Sequence, residues 1–361
     1  MLTCYFLERY ASQVSKPLVT PELQTRKLKH AQVCLTYPVE YETRTTGLEQ
    51  LELPYCALPE TDLATIDTRT SFLGKSLNAP ILIGAMTGGA ELSGTINKNL
   101  ALAAEALGVG LMLGSQRVML EHPEALPSFA VRSHAPSVLL IGNLGVAQLN
   151  KGYNADHLTR AVELIGADGV ALHTNPLQEA LQHKGDTNFA SLIPKLHEVV
   201  PSVPYPVLLK EVGHGLSKEV AIAVKDVGFA ALDVAGAGGT SWAKVEEFVN
   251  YGEVRHEALA EWGIPTAQAL QEVHAALPTM PLVASGGIRT GVDIAKALVM
   301  GANVVAIAKP LLAPATQSAE AVIEKLQDLV WQLKVAMHCS GAGTIAALKM
   351  LRLSSSLQSS E

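Results

Sequence analysis

From residue 80 onward the chain alternates short apolar runs with longer segments whose apolar positions recur every three or four residues. The runs begin at Pro80 (PILIGA), Val109 (VGLML), Val138 (VLLIG), Gly169 (GVALH), Val207 (VLLK), Phe229 (FAALDV), Leu282 (LVAS) and Val304 (VVAIA). Continuous rather than alternating apolar character suits strands buried on both faces. Segments 96–107 and 291–300 carry helical spacing between them, and 320–338 sets Leu326, Leu329, Val330 and Leu333 on one face. Eight strand–helix units in succession predict an α/β fold, a (β/α)8 TIM barrel. An open doubly wound sheet uses the same repeat, but no GxGxxG follows the first strand and no reversal of order is evident. The long interval between the sixth and seventh strands holds residues 242–263, expected as an insertion over one end of the barrel.

These patterns divide the chain into an N-terminal extension (1–24), an N-terminal segment (25–75), the barrel (76–350) and a Ser-rich tail expected to be disordered (351–361). The 361 residues, 48% hydrophobic, exceed the about 250 that such a barrel needs. No apolar run reaches the roughly 18 residues that span a bilayer. Glu8 and Arg9 argue against a secretory signal, and four cysteines without a CxxC pair fit reduced thiols, so a cytoplasmic protein is expected. The net charge of −7 argues against nucleic acid or anionic membranes as partners. An anionic substrate therefore needs a local basic cluster. The densest is Arg26-Lys27-Leu28-Lys29-His30; if helical, Arg26, Lys27 and His30 share a face. A solvated basic turn is the alternative.

Barrel active sites lie at the C-terminal ends of the strands. Those positions read Met86-Thr87-Gly88-Gly89, Ser115-Gln116-Arg117, Asn143, His173 to Glu179, and Lys210-Glu211. They continue with Asp233 and the loop Gly236 to Ser241, then Ser285-Gly286-Gly287-Ile288-Arg289, and Ala308-Lys309. Gly286-Gly287 before a helix exposes backbone N–H groups at a positive helix terminus, which suits a phosphate. A lone Gly-Gly is more often a tight turn; three adjacent glycine-rich or small-residue ends favour a phosphate-tailed cofactor. Lys210 closes an apolar strand as either a Schiff-base former or a fixed cation beside a cofactor. After Val170-Ala171-Leu172, Pro176 ends regular pairing. An imidazole, two amides and a carboxylate then follow within seven residues, His173 to Glu179. Asn175 there is a helix cap or a ligand-facing amide, and Glu179 a first-turn carboxylate or a Mg²⁺ ligand.

Arg-Lys-x-x-His at 26–30, Met-Thr-Gly-Gly at 86–89, Gly-Ser-x-Arg at 114–117 and Asn-Pro-Leu-Gln-Glu at 175–179 form an ordered set. So do Lys-Glu-Val-Gly-His-Gly at 210–215, Ala-Gly-Gly-Thr-Ser-Trp at 237–242 and Ser-Gly-Gly-Ile at 285–288. Together they resemble the type 2, FMN-dependent isopentenyl diphosphate isomerases from about residue 25 to about residue 343. The resemblance implies FMN contacts from Ala85, Met86, Thr87, Ser115, Asn143, Lys210 and Thr240. It implies FMN phosphate against Gly286, Gly287, Ile288, Ala308 and Lys309. The diphosphate would meet Arg26, Lys27, His30 and Arg117, with Ser115, His173, Asn175 and Gln178 lining the rest of the substrate pocket, and Glu179 would bind Mg²⁺. His214 receives no role.

The implied reaction protonates one carbon of a five-carbon diphosphate and deprotonates another, with cationic character between them. An anionic nucleophile would trap that cation; a reduced flavin and a neutral amide are safer neighbours. Lys210 near flavin N1 would favour the anionic reduced form. Gln178 and the flavin are thus expected to carry the proton chemistry without an ordinary carboxylate or histidine pair, and NAD(P)H to prime the flavin. The positive mean hydropathy and the resemblance suggest a homo-oligomer. Rivals are another FMN barrel oxidoreductase acting on a small anion, and a flavin-binding protein without catalysis. The loop 236–242 lacks the His base and Arg pair of a 2-hydroxy-acid oxidase, no cysteine lies near a strand end, and bare flavin retention needs neither Gln178 nor Glu179.

Overall fold

The computed structural model describes residues 21–355, with side chains from residue 28 onward except Glu91. Eight parallel strands close a barrel: β1 Ile81–Ile83, β2 Gly110–Met112, β3 Leu140–Gly145, β4 Gly169–His173, β5 Val207–Lys210, β6 Ala231–Asp233, β7 Leu282–Ser285 and β8 Val304–Ile307. Each pairs with its sequence neighbour, and β8 returns to β1 through Val305↔Ile81 and Ile307↔Ile83. All eight apolar runs became strands, and the order is unbroken, so the open sheet is excluded.

Neighbouring positions on one strand serve different cores. Leu82, Met112, Ile141, Leu208 and Val283 belong to a cluster that fills the barrel. Ile81, Ile83, Leu111, Leu140 and Leu209 belong to the larger cluster between strands and helices. Both faces are apolar because both are covered, which is why the runs do not alternate. A short hairpin, Thr70–Phe72 and Lys75–Leu77, adds Phe72 and Leu77 to the interior cluster just before β1.

Five helices matter for the site or for the outer layer: α1 Pro21–Thr36, α2 Glu91–Leu107, α3 Pro176–Leu181, α4 Trp242–Tyr251 and α5 Ala319–Cys339. The stripe at 320–338 lies within α5, where Leu326, Leu329 and Leu333 are buried. The expected insertion is α4 with the short helix Glu257–Ala260, and α4 packs against both α1 and α3. Val33, Val39 and Val245 form the apolar seam of that cover.

Two expected boundaries differ from the structure. Residue 24 falls inside α1 rather than at its edge. The tail expected from residue 351 is partly ordered, because Ser354 and Ser355 pair antiparallel with Glu52 and Leu51. Most of the extension and residues 356–361 lie outside the described residues.

After α1 the chain runs as a strap across the barrel mouth. Tyr41 N–H donates to Gly239 O at 3.0 Å, Ser241 N–H to Val39 O at 2.8 Å, and Ala267 N–H to Thr46 O at 2.9 Å. The strap is fastened by Glu261, whose carboxylate accepts the N–H groups of Glu42 (3.0 Å) and Thr43 (3.1 Å) and pairs with Lys244 at 2.8 Å. Burial opposes the ionised form of Glu261, but Lys244 and these donors outweigh it and hold the pKa of the carboxyl down at about 2.

Candidate active site

One cavity opens at the C-terminal ends of the strands, beneath the strap and α4. It is lined by every residue to which the resemblance gave a site role and whose side chain is described: His30, Ala85 to Thr87, Ser115, Arg117, Asn143, His173, Asn175, Gln178, Glu179, Lys210, Thr240, Gly286 to Ile288, Ala308 and Lys309. The side chains of Arg26 and Lys27 lie outside the described residues, although α1 carries their backbone.

The glycine-rich end is built by backbone contact. Gly286 has φ +96° and Gly287 φ +73°, a region that favours glycine. A Cβ on Gly286 would sit 2.0 Å from Gly236 O, and one on Gly287 2.7 Å from Gly238 O. The two loops therefore interlock as bare backbone. Arg289 and Lys309 stand at the same end and share the carboxylate of Glu40, at 2.8 and 3.3 Å. Burial acts against the Glu40 anion, yet Lys309 and Arg289 together lower its pKa. Exposed backbone with two adjoining cations fits a phosphate-tailed cofactor.

Lys210 is buried, and its Nζ donates to Glu211 O at 2.6 Å. In register beside it, Asp233 is buried with Oδ1 accepting from Ser285 Oγ at 2.6 Å and Oδ2 without a partner among the described residues. Burial pushes the Asp233 carboxyl up against the pull of Lys210 and Ser285. His173 Nδ1 and Asn143 Oδ1 stand 2.7 Å apart on adjoining strands.

The polar turn after β4 does not serve as a helix cap. Asn175 stands at the N-cap of α3, but its side chain accepts no capping bond. Instead its Nδ2 donates to Gln178 Oε1 and to Glu179 Oε1, both at 3.0 Å. Glu179 Oε2 also accepts from Gln182 Nε2 at 3.2 Å and from Asp186 N–H at 2.5 Å. Among the described residues no three His, Cys, Asp or Glu gather as a metal cage. A cation held at Glu179 would have to complete its shell with water and substrate oxygens, the usual habit of Mg²⁺.

Sequence reasoning missed Glu246. It is 1% exposed on α4, accepts from Gln178 Nε2 at 2.9 Å, and its Oε1 lies 3.1 Å from His30 Nε2. A carboxylate that the strand-end reading did not include thus stands directly behind Gln178. His30 also meets Trp242 edge-on, with ring centroids 5.5 Å apart. Arg117 is held by Asp186 at 2.6 Å, and Asp186 also receives Gln148 Nε2 at 2.7 Å and pairs with Lys151. Burial disfavours the charge on Asp186, but Lys151, Gln148 and Arg117 prevail and lower its pKa. Cys34 reaches the cavity from α1 rather than from a strand end; burial pushes its thiol to about 12, so it stays protonated at neutral pH. His214 faces away from the chemistry, with Nδ1 2.7 Å from Tyr41 Oη.

Fold and cavity together define a flavin-mononucleotide-dependent barrel. The FMN-dependent dehydrogenase family matches residues 146–355, and a solved mandelate oxidase structure superposes with a TM-score of 0.66 at 19% identity, covering 92% of this chain and 99% of that one. Much higher identity links the chain to the isopentenyl-diphosphate delta-isomerase of Mycolicibacterium gilvum, 60% over 327 residues, covering 91% of this chain and 95% of that one. The enzyme of the same name from Deinococcus radiodurans is 53% identical over 319 residues, covering 88% and 94%. The chain belongs to the isopentenyl-diphosphate delta-isomerase family, in its FMN-dependent type 2 form.

Proposed function

We propose that the protein interconverts isopentenyl diphosphate and dimethylallyl diphosphate, a 1,3-allylic rearrangement in isoprenoid biosynthesis that uses reduced FMN and Mg²⁺. One observation carries the reading: a single cavity joins the interlocked glycine loops and Lys210 to Arg117, Glu179 and the Gln178–Glu246 pair. Flavin retention alone needs only the first half of that set.

In this reading Ala85, Met86, Thr87, Ser115, Asn143, Lys210 and Thr240 hold the flavin. Gly286, Gly287, Ile288, Ala308 and Lys309 hold its phosphate. Arg26, Lys27, His30 and Arg117 take the diphosphate, and Glu179 takes Mg²⁺. When bound and reduced, FMN supplies an electron-rich ring able to exchange a proton and to sit beside cationic carbon. Lys210, fixed through the Glu211 carbonyl, sets a positive charge at one edge of that site. Gln178 presents a neutral amide held at both ends, by Asn175 and by Glu246. An amide is a poor acid, so a proton moving at Gln178 is taken up or returned by the Glu246 carboxylate behind it. His173 and Asn175 orient the diphosphate end of the pocket.

Because the rearrangement has no net redox change, a reductant is needed only to prime the flavin, and NAD(P)H fills that role in this reading. A cytoplasmic setting agrees with Cys34, Cys56 and Cys339 being free thiols; no helix among the described residues is long and apolar enough to cross a membrane. A homo-oligomer agrees with exposed Tyr55, Leu58, Trp262 and Trp331.

The test is turnover of isopentenyl diphosphate under anaerobic conditions. No product is expected with oxidised FMN, and full activity after reduction by NAD(P)H or dithionite, without stoichiometric consumption of reductant. A 5-deaza-FMN holoenzyme is expected to bind substrate and remain inactive. Full activity with oxidised FMN or with the analogue would show that side chains alone move the protons.

A further inference from the structure

Asp186 gathers three donors from two elements, which occupy three of the roughly four lone-pair sites of its carboxylate. Oδ2 accepts from Arg117 Nη1 at 2.6 Å and Gln148 Nε2 at 2.7 Å, while Oδ1 pairs with Lys151. Its own N–H donates to Glu179 Oε2 at 2.5 Å. Asp186 therefore ties the candidate metal ligand Glu179 to the candidate diphosphate ligand Arg117 through one residue.

The same carboxylate fixes the orientation of Gln148. That residue follows β3 in the short 3-10 helix Val146–Lys151, is 5% exposed and lines the cavity. Turning its amide over would oppose two acceptor oxygens across 2.7 Å, so the NH₂ must face Asp186 and the oxygen must face away. Among the described residues Gln148 Oε1 is buried without a hydrogen-bond partner. A buried acceptor in a binding cavity calls for a donor. The ionised diphosphate offers only acceptor oxygens there, and a five-carbon hydrocarbon chain offers no polar hydrogen. Water polarised by a divalent cation at Glu179, which Asp186 links to Gln148, is a strong donor of the kind this oxygen requires.

We propose that Gln148 Oε1, aimed by Asp186, accepts a hydrogen bond from a water on the divalent cation bound at Glu179. Gln148 is thus a positioning residue for the hydrated metal, and the Asp186 hub sets metal and Arg117 in one register for the diphosphate. The inference rests on the reading of Glu179 as a Mg²⁺ ligand. Outer hydrogen-bond partners of metal sites are commonly worth about ten- to a hundredfold in metal affinity.

The test uses FMN-loaded holoenzyme with inorganic diphosphate, and Mn²⁺ as the spectroscopic probe, free Mn²⁺ being read by electron paramagnetic resonance. Gln148→Met keeps the volume but removes the acceptor. It is expected to weaken Mn²⁺ binding about tenfold, with flavin absorbance unchanged. The Mg²⁺ concentration for half-maximal turnover should rise in proportion, while kcat at saturating Mg²⁺ holds. Gln148→Asn withdraws the amide from the cavity and gives the same reading if the methionine variant does not fold. Mn²⁺ affinity within about twofold of the parent in a folded Gln148 variant, with Glu179→Gln abolishing binding, overturns this inference alone. Undiminished Mn²⁺ binding in Glu179→Gln overturns the Glu179 reading and this inference with it.

Discussion

Glu179→Gln separates two roles for that carboxylate, and the structure sets the size of each effect. Glu179 accepts from Asn175 on one oxygen, and from Gln182 and the Asp186 N–H on the other. A glutamine has one acceptor oxygen, so in either orientation its NH₂ confronts a donor. Hydrogen bonds to charged groups contribute about 1.5–3 kcal/mol each. Glu179 is only half-buried, and water can replace part of what is lost, which brings the net cost to about 1 kcal/mol. For a domain of this size that lowers Tm by roughly 1–3 °C. The loss of metal binding is far larger, because a carboxamide is a poor partner for a hard cation. Removing a direct ligand should exceed the effect of losing an outer partner, so turnover at fixed Mg²⁺ should fall at least about a hundredfold. Initial rates across a Mg²⁺ titration, thermal unfolding and flavin absorbance read the two effects independently. A variant that unfolds several degrees earlier yet keeps its parent's Mg²⁺ dependence would make Glu179 a structural hub and refute its assignment to metal.

Gly287→Leu should lower flavin occupancy of purified protein, since its Cβ alone would stand 2.3 Å from Thr46 Cγ2 and 2.7 Å from Gly238 O; occupancy equal to the parent, read from absorbance at equal protein concentration, would contradict the glycine cradle. Glu246→Leu is expected to lower kcat while leaving flavin retention intact, because Gln178 loses the carboxylate behind it and His30 its partner. Glu261→Gln tests the strap by pH. The folded carboxyl is depressed from 4.5 to about 2, so the parent's advantage in Tm should be complete above pH 4.5 and vanish as pH falls through about 2. An advantage that persists at pH 2 or grows on acidification would reverse the sign and refute the ion-pair account.

The barrel was legible because strands covered on both faces leave long apolar runs, and all eight were read at their places. The strand-end residues were legible for a related reason: polar groups at the end of an apolar run have few packing explanations. Gln178 and Lys210 could be seen this way. Glu246, Gln148 and Asp186 could not. Glu246 occupies a helix whose buried residues also include Lys244 and Glu247, so its polarity resembles that of any insertion. Its partners lie on α1 and α3, and a spacing of 68 residues to Gln178 leaves no periodic trace. The strap was equally hidden, since its bonds to the glycine loop are made largely by backbone groups that every residue carries.

The same hidden residues change how the cavity's charge is understood. A net acidic chain was expected to need a basic cluster for an anionic substrate, but here several of the cations come with a carboxylate. Arg117 has Asp186, and Arg289 with Lys309 shares Glu40. Partly buried cations without partners would be costly in the free protein, so such pairing stabilises the empty site. It also reduces the net attraction available to a bare diphosphate. On the proposed assignment, a diphosphate that arrives with Mg²⁺ would carry less charge and add a bond to Glu179, so the pairing would shift selectivity toward the metal complex. Arg117 would then act less as an attractor than as a fixed donor, held at its angle by Asp186, and affinity for metal-free diphosphate should be correspondingly weak.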